Sequence, residues 1–377
     1  MKHTEVSTPL KRIDVTQPYL PPLEEFIPYL ERIWSSRQLS NSGPMHVELE
    51  RALAEYLGVP HVALLANGTL ALLIALEALG IEGEVVTTPF SFAATTHALH
   101  WKGIKPVFAD IDPVTLNLDP ACVESAITPA TRAILAVHTY GQPADVHGLQ
   151  EIAERHGIRL IYDAAHSFGV RDEGGSILRH GDLSVLSFHA TKVFSTFEGG
   201  AIVCHDEAMK QRIDRLKNFG IGLDGTVEES GINGKMNEVQ AAFGLLQLRH
   251  VDQAISLRRR VDERYRERLA SVPGIRLVPL LSGVIQNYSY FPVIVEEEFK
   301  ETRDSLLLRL QSHGIFARRY FHPLLSNIAP YCELPSAAPH ALPVANRCAE
   351  RVLCLPLSPN LTPGDVDHVV DVLTGNS

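Results

Sequence analysis

Several large classes of protein are excluded by what the sequence is short of. Five cysteines in 377 residues (Cys122, Cys204, Cys332, Cys348 and Cys354) are too few and too scattered for a disulfide framework, and none forms a Cys-x-x-Cys pair. Basic charge is in deficit: 34 Lys and Arg against 44 Asp and Glu leave a net charge of −10, with no dense basic tract, which argues against nucleic acid as a partner. No apolar run approaches membrane-spanning length, and Met1 to Thr16 is polar without an apolar centre. A cytoplasmic protein with no signal peptide, no membrane contact and reduced thiols is expected. The Asn-x-Ser/Thr triplets at Asn67, Asn287 and Asn360 then read as chance matches. There is no internal repeat, low-complexity tract, Walker A lysine, Gly-x-Ser-x-Gly elbow or His-Glu-x-x-His pair, so no metal site is expected.

What remains is an ordinary globular composition, 45% hydrophobic and 21% charged, on a chain long enough for one large domain and a smaller one. The pattern predicts helices over residues 23–36 and 46–57. A run of strands follows at His61–Leu65, Val85–Pro89, Pro106–Ile111, Ala133–His138, Arg159–Asp163, Leu183–Phe188 and Ala201–Cys204. Amphipathic stretches lie between them; in residues 144–157 Val146, Leu149, Ile152 and Ala153 recur at helical spacing. Strands alternating with helices imply an α/β fold with a mostly parallel sheet, whose ligands bind beyond the carboxyl ends of the strands. A long helix from Asn237 into Arg266 is expected to bridge to a smaller C-terminal α+β domain with short strands, two helices and a Pro-rich segment. The division is placed at 1–250 and 251–377.

Asn67, Phe92, Asp163 and Lys192 all fall at or just past predicted strand ends. Lys192 stands in a polar loop closed by Glu198-Gly199-Gly200, where an amine near hydroxyls and apolar walls loses its proton more easily than in water. A solvated loop lysine fits the same letters. Asp163, ending an apolar strand, requires a compensating partner, such as a cationic ring nitrogen, a structural salt bridge or, with His166, a metal. Asn67-Gly68-Thr69 opens a helix whose free N–H groups suit an anion, or is plain capping. Phe92 and His166 admit roles against an aromatic ligand or in the core, and Ser187 a phosphate contact or a backbone bond. Gly220-Ile221-Gly222-Leu223-Asp224-Gly225 matches a dinucleotide fingerprint by letter, but helical, polar residues precede it where a strand is required.

These stretches, Asn67-Gly68-Thr69, Pro89-Phe90-Ser91-Phe92, Tyr162-Asp163-Ala164-Ala165-His166, the run Ser187 to Lys192 with Glu198-Gly199-Gly200, and Gly231 to Met236, resemble the DegT/DnrJ/EryC1/StrS sugar aminotransferases. That family comprises pyridoxal 5'-phosphate enzymes of fold type I. The resemblance runs from about residue 12 to the C-terminus. It implies Lys192 as the Schiff-base lysine, Asp163 at the pyridine nitrogen, Phe92 stacked on the ring, His166 at the ring hydroxyl, and Gly68, Thr69 and Ser187 at the phosphate. It also implies a homodimer in which Asn233 reaches the neighbouring active site. Ile232 and Lys235 depart from the aromatic and arginine more usual in the family. The variant Phe188 to Phe194 is most similar to members that aminate C4 of a dTDP-4-keto-6-deoxy sugar with glutamate as donor. Arg319, Tyr320 and His322 are candidates to face that sugar nucleotide. A 3-keto nucleotide sugar or cyclitol acceptor, a non-catalytic sugar-nucleotide sensor and a nicotinamide-dependent oxidoreductase are the alternatives.

Overall fold

The computed structural model describes residues 11–222 and 224–376; residues 1–10 of the polar N-terminal stretch and Leu223 of the glycine motif lie outside the described residues. The chain starts with β1 (Ile13–Asp14), α1 (Leu23–Ser36) and α2 (Pro44–Leu57). Strands and helices then alternate: β2 (His61–Leu65), α3 (Gly68–Ala78), β3 (Glu84–Thr87), α4 (Ala93–Trp101), β4 (Lys105–Phe108), α5 (Pro120–Ala126), β5 (Thr131–Val137), α6 (Val146–His156) and β6 (Arg159–Asp163). A small hairpin, β7 (Arg171–Asp172) and β8 (Gly175–Ser176), precedes β9 (Leu183–Ser187), β10 (Gly200–Cys204) and α7 (Glu207–Leu216). The helix α8 (Glu238–Leu269) leads to β11 (Ile275–Leu277), β12 (Phe291–Val295), α9 (Arg303–Ser312), β13 (Ile315–Phe316), α10 (Pro343–Arg351), β14 (Val352–Leu355) and α11 (Pro363–Thr374).

The seven-stranded sheet runs β2-β10-β9-β6-β5-β3-β4. Its strands are apolar almost throughout because helices cover both faces. On one face Leu64, Ile134, Tyr162, Leu186 and Val203 pack with residues of α1, α2, α6 and α8. Their immediate neighbours Ala63, Leu135, Ile161, Val185 and Ile202 pack on the other face with α3, α4 and α7. This is the period of two expected of a strand. Only β10 is antiparallel, to both β2 and β9. The other six strands therefore point one way and end at one edge, where β10 begins: Gly200 pairs with Leu65 on one side and Ser187 on the other.

The C-terminal elements build a second sheet, antiparallel in the order β11-β12-β14, over a core shared by α8, α9 and α11. Ile13 is buried in that same core and β1 pairs parallel with β13, so the start of the described chain returns to its end. Among the described residues three α-helices occur after residue 275 where the sequence suggests two. The additional one, α10, lies in the Pro-rich segment, with Pro343 in its first turn, where a missing N–H is no loss. Its next two N–H groups, of Val344 and Ala345, are both accepted by Asp110 at 2.8 Å. A cap supplied from across the fold leaves no local sequence signal. Among the described residues no helix is long and apolar enough to cross a membrane.

Candidate active site

Four turns meet at the strand-end edge. The loop from β9 to β10 is pinned from below by Phe188 and Phe194, both fully buried. Phe194 stacks on Phe168 with ring centres 4.4 Å apart, and Phe188 meets Phe194 edge-on at 4.9 Å. Phe188 and Gly199 extend the ladder by one bond of 2.8 Å, and the Lys192 N–H donates to the His189 carbonyl at 2.9 Å. Two apolar anchors flanking a polar run thus hold Lys192 at the top of the loop. Its side chain is half-buried, and the protein around it displaces enough water to push its ammonium down to about 8; the Asp163 carboxylate opposes that fall. A neutral amine is accordingly accessible near neutral pH.

Asp163 ends β6 and is 5% exposed. Burial raises its pKa, while the Thr95 hydroxyl, the Ala165 N–H and the Lys192 charge act to lower it. Thr95 donates to Oδ2 at 2.8 Å and the Ala165 N–H to Oδ1 at 3.2 Å. Among the described residues Asp163 makes no ion pair, so its neutralising partner is not a protein cation in direct contact. Nor does any group of three or more His, Cys, Asp or Glu among those residues offer a metal site.

The turn after β2 packs against the end of β9. The Asn67 side chain caps α3 by accepting from the Leu70 N–H at 2.9 Å. The N–H groups of Gly68 and Thr69 stay outside the helical ladder at the positive end of the helix dipole. Capping and anion binding are therefore compatible here. A Cβ on Gly68 would lie 2.9 Å from the Ser187 Cβ, and one on Gly200 would lie 2.6 Å from the Asn67 carbonyl carbon. Only hydrogen at both positions lets Ser187 stand against the helix start.

His166 is 6% exposed, and its Nδ1 has no hydrogen-bond partner. Burial, reinforced by Lys192, holds its imidazole well below the usual range and thus neutral. Its ring lies parallel to Phe321 with centres 6.1 Å apart and edge-on to Tyr290 at 4.9 Å. Its carbonyl accepts from the side chains of Asn287 and Ser289, each at 2.7 Å. Two members of the Asn287 glycosylation-like triplet are thereby buried in the fold. Phe92 is 63% exposed at the N-cap position of α4, so it is not a core aromatic; the buried aromatic of that segment is Phe90.

The remaining candidates sit differently. Asn233 is exposed, on a loop tied down where Gly234 donates to the Lys217 carbonyl and accepts from the Ala66 N–H. Arg319 is exposed and donates to Asp304 at 3.3 Å. Tyr320 meets Tyr290 edge-on at 5.7 Å, two aromatic contacts from His166. His322 is partly buried, which lowers its pKa. Phe321, between two named candidates, is the residue whose ring lies parallel to His166. Thr95, Asn287, Ser289, Tyr290 and Phe321 are missed in the sequence because their partners lie far away in the chain. The glycine motif at 220–225 follows α7 and precedes no βα turn.

The edge thus offers a lysine of lowered pKa, a buried carboxylate with no ion pair among the described residues, an exposed helix start beside a serine, and a neutral imidazole with a spare nitrogen. The model of the DegT/DnrJ/EryC1/StrS aminotransferase family matches residues 23–374. The chain is 52% identical over 96% of its length to dTDP-4-amino-4,6-dideoxy-D-glucose transaminase of Shigella dysenteriae, covering 98% of that protein. It is 48% identical to the Escherichia coli protein of the same name, over 97% of this chain and 99% of the relative. Its structure is similar to that of DesI, crystallised in the presence of its TDP-sugar product, with a TM-score of 0.92, 39% identity and coverage of 96% of this chain and 92% of that one. The large, mostly parallel sheet is that of a fold type I aminotransferase, and the chain belongs to the DegT/DnrJ/EryC1/StrS aminotransferase family.

Proposed function

We propose that this aminotransferase uses pyridoxal 5'-phosphate to move an amino group from glutamate to C4 of dTDP-4-keto-6-deoxyglucose. The observation that carries the cofactor reading is the meeting, at one sheet edge, of Lys192 with a buried Asp163 that makes no ion pair among the described residues. The two transaminases of that specificity at 52% and 48% identity support the acceptor.

The donor set fits the cofactor. Lys192 supplies the amine for its aldehyde, Asp163 the anion for its pyridinium nitrogen, and His166 Nδ1 an unused position for its ring oxygen. Gly68, Thr69 and Ser187 supply N–H and hydroxyl groups for its phosphate, and Phe92 an exposed ring to lie on its face. When bound there, the cofactor supplies an electron sink for the carbon that loses its proton. The chain's own work is then positional and protonic. Neutral Lys192 takes the proton from the donor's α-carbon in the first half-reaction and handles the corresponding proton at the sugar carbon in the second. Asp163 keeps a proton on the ring nitrogen throughout, and the aromatic wall of Phe321 and Tyr290 limits water near His166.

A homodimer belongs to the same proposal, with Asn233 of the partner subunit contributing to the phosphate site, as do Arg319, Tyr320 and His322 at the sugar nucleotide. So do a division near residue 250, inside α8, into a large cofactor-binding unit and a small one, and a cytoplasmic location. The test is incubation with glutamate and a panel of dTDP-keto sugars, with product identified by mass and NMR. Amination at C4 is expected; amination of only a 3-keto sugar would replace the acceptor, and no amination with any donor would remove the function.

A further inference from the structure

A fully buried hydroxyl touches the carboxylate on which the proposed chemistry depends. Thr95 lies in the first turn of α4 with no exposed area, and its Oγ1 is 2.8 Å from Asp163 Oδ2 and 2.8 Å from Ser91 Oγ. Its N–H donates to the carbonyl of Phe92 at 3.2 Å. A threonine hydroxyl has one hydrogen, and an ionised carboxylate has none to give. With Asp163 ionised, that hydrogen points to Oδ2, so the Ser91 hydroxyl must donate to Thr95. The order Ser91 to Thr95 to Asp163 is therefore set by valence.

We propose that Thr95, polarised by Ser91, is the positioning residue that keeps Asp163 ionised and aimed at the ring nitrogen of the bound cofactor. The proposal rests on the reading of Asp163 as the partner of that nitrogen. Asp163 takes one protein donor on each oxygen, Thr95 on Oδ2 and the Ala165 N–H on Oδ1, which fixes the carboxylate plane and leaves a lone pair on each oxygen for a cation. Donors to a buried carboxylate stabilise its charged form against the cost of burial. Because the same residue grips the Phe92 carbonyl, one helical turn holds the residue for the ring face and the residue for the ring nitrogen in fixed relation.

The test uses T95V, which keeps the shape and removes the hydroxyl, T95S, which keeps the hydroxyl, and S91A. In the full-length protein with pyridoxal 5'-phosphate, T95V is expected to weaken cofactor retention, followed by absorbance, about tenfold and to lower kcat by about tenfold to a hundredfold with KM for glutamate nearly unchanged. T95S should stay within about threefold of wild type and S91A should fall between. In the cofactor-free protein the Asp163 carboxyl, assigned by difference infrared against D163N, should titrate at higher pH in T95V than in wild type or T95S. An unchanged titration in T95V, or T95S failing as badly as T95V, overturns the proposal. If wild type binds no pyridoxal 5'-phosphate the functional reading falls by itself, and the infrared titration still decides the role of Thr95.

Discussion

Lys217 and half-buried Lys192 both lose water to this fold, and their surroundings could hardly differ more. Lys217, at the end of α7, is 2% exposed and lies 3.1 Å from Glu50 and 2.7 Å from Asp214. Lys210 joins the same two carboxylates, and Glu50 also accepts the Leu64 N–H at 2.9 Å. Against a burial that pushes Glu50 up, Lys217, His46 and Lys210 pull it down to about 2. Lys192 has no ion pair among the described residues and only the more distant Asp163 to hold its charge, and burial brings it to about 8. A buried cation with its counter-ions in place locks the structure. A desolvated cation without them gives up its proton more readily. The carbonyl of the locked lysine also accepts the Gly234 N–H, next to Asn233 in the chain.

The comparison is most exposed to removing each amine in turn. Lys192→Ala should abolish the absorbance of bound cofactor and lower turnover by about a thousandfold or more, with the melting temperature of the cofactor-free protein nearly unchanged. Retained turnover would show that Lys192 is an ordinary loop residue. Lys217→Ala should do the reverse, costing about 3 kcal/mol of stability by denaturant unfolding because Glu50 is left buried with fewer partners. Unchanged stability there would show that the cluster is not a lock.

A smaller effect comes from acid. His46, buried beside Glu50 with both ring nitrogens unpaired by hydrogen bonds, is pushed by burial down to about 4, which Glu50 opposes. Its neutral form is the one the fold favours, so its contribution is complete above the unfolded value near 6.5 and is lost as pH falls toward 4. Unfolding free energy should drop by about 2 kcal/mol between pH 7 and pH 4.5, and His46→Leu should flatten that slope. An equal slope in the variant would assign the acid lability elsewhere. The smallest effect is expected at the grip on His166. Asn287→Ala should cost about 1–2 kcal/mol, since two carbonyls, of His166 and Phe168, lose the same donor. Cofactor affinity should fall only a few-fold, and a loss as large as that of Lys192→Ala would mean that His166 does more than contact the ring.

Much of the sheet edge is legible from the chain because each part is local. β2, β6 and β9 are short apolar runs ended by Asn67-Gly68-Thr69, by Asp163 and by Ser187, and the motif residues follow within a few positions. A strand that ends at a polar turn must present that turn at the sheet edge, whatever the rest of the chain does. Helix α6 is likewise foreseeable, since Val146, Leu149, Ile152 and Ala153 share one face and all are buried. Asp110 capping α10, Phe321 stacking over His166 and Thr95 holding Asp163 are not. Each pairs residues separated by many elements, and nothing in a local period or propensity carries the distance between them.

Amino-acid order alone determined that a lysine, an aspartate, a serine and a helix start would arrive at one side of a parallel sheet. Apolar periodicity sets which segments are strands, their alternation with helices sets a common strand direction, and that direction sets which turns share an edge. The electrostatic environment of those groups was decided only by packing. Burial without an ion-pair partner lowers the pKa of the Lys192 amine, Thr95 of α4 joins the local Ala165 N–H in holding Asp163, and the side chains of the 287–290 segment enclose His166. Desolvation depends on what surrounds an atom in space, and the chain's order does not specify those neighbours until it has folded.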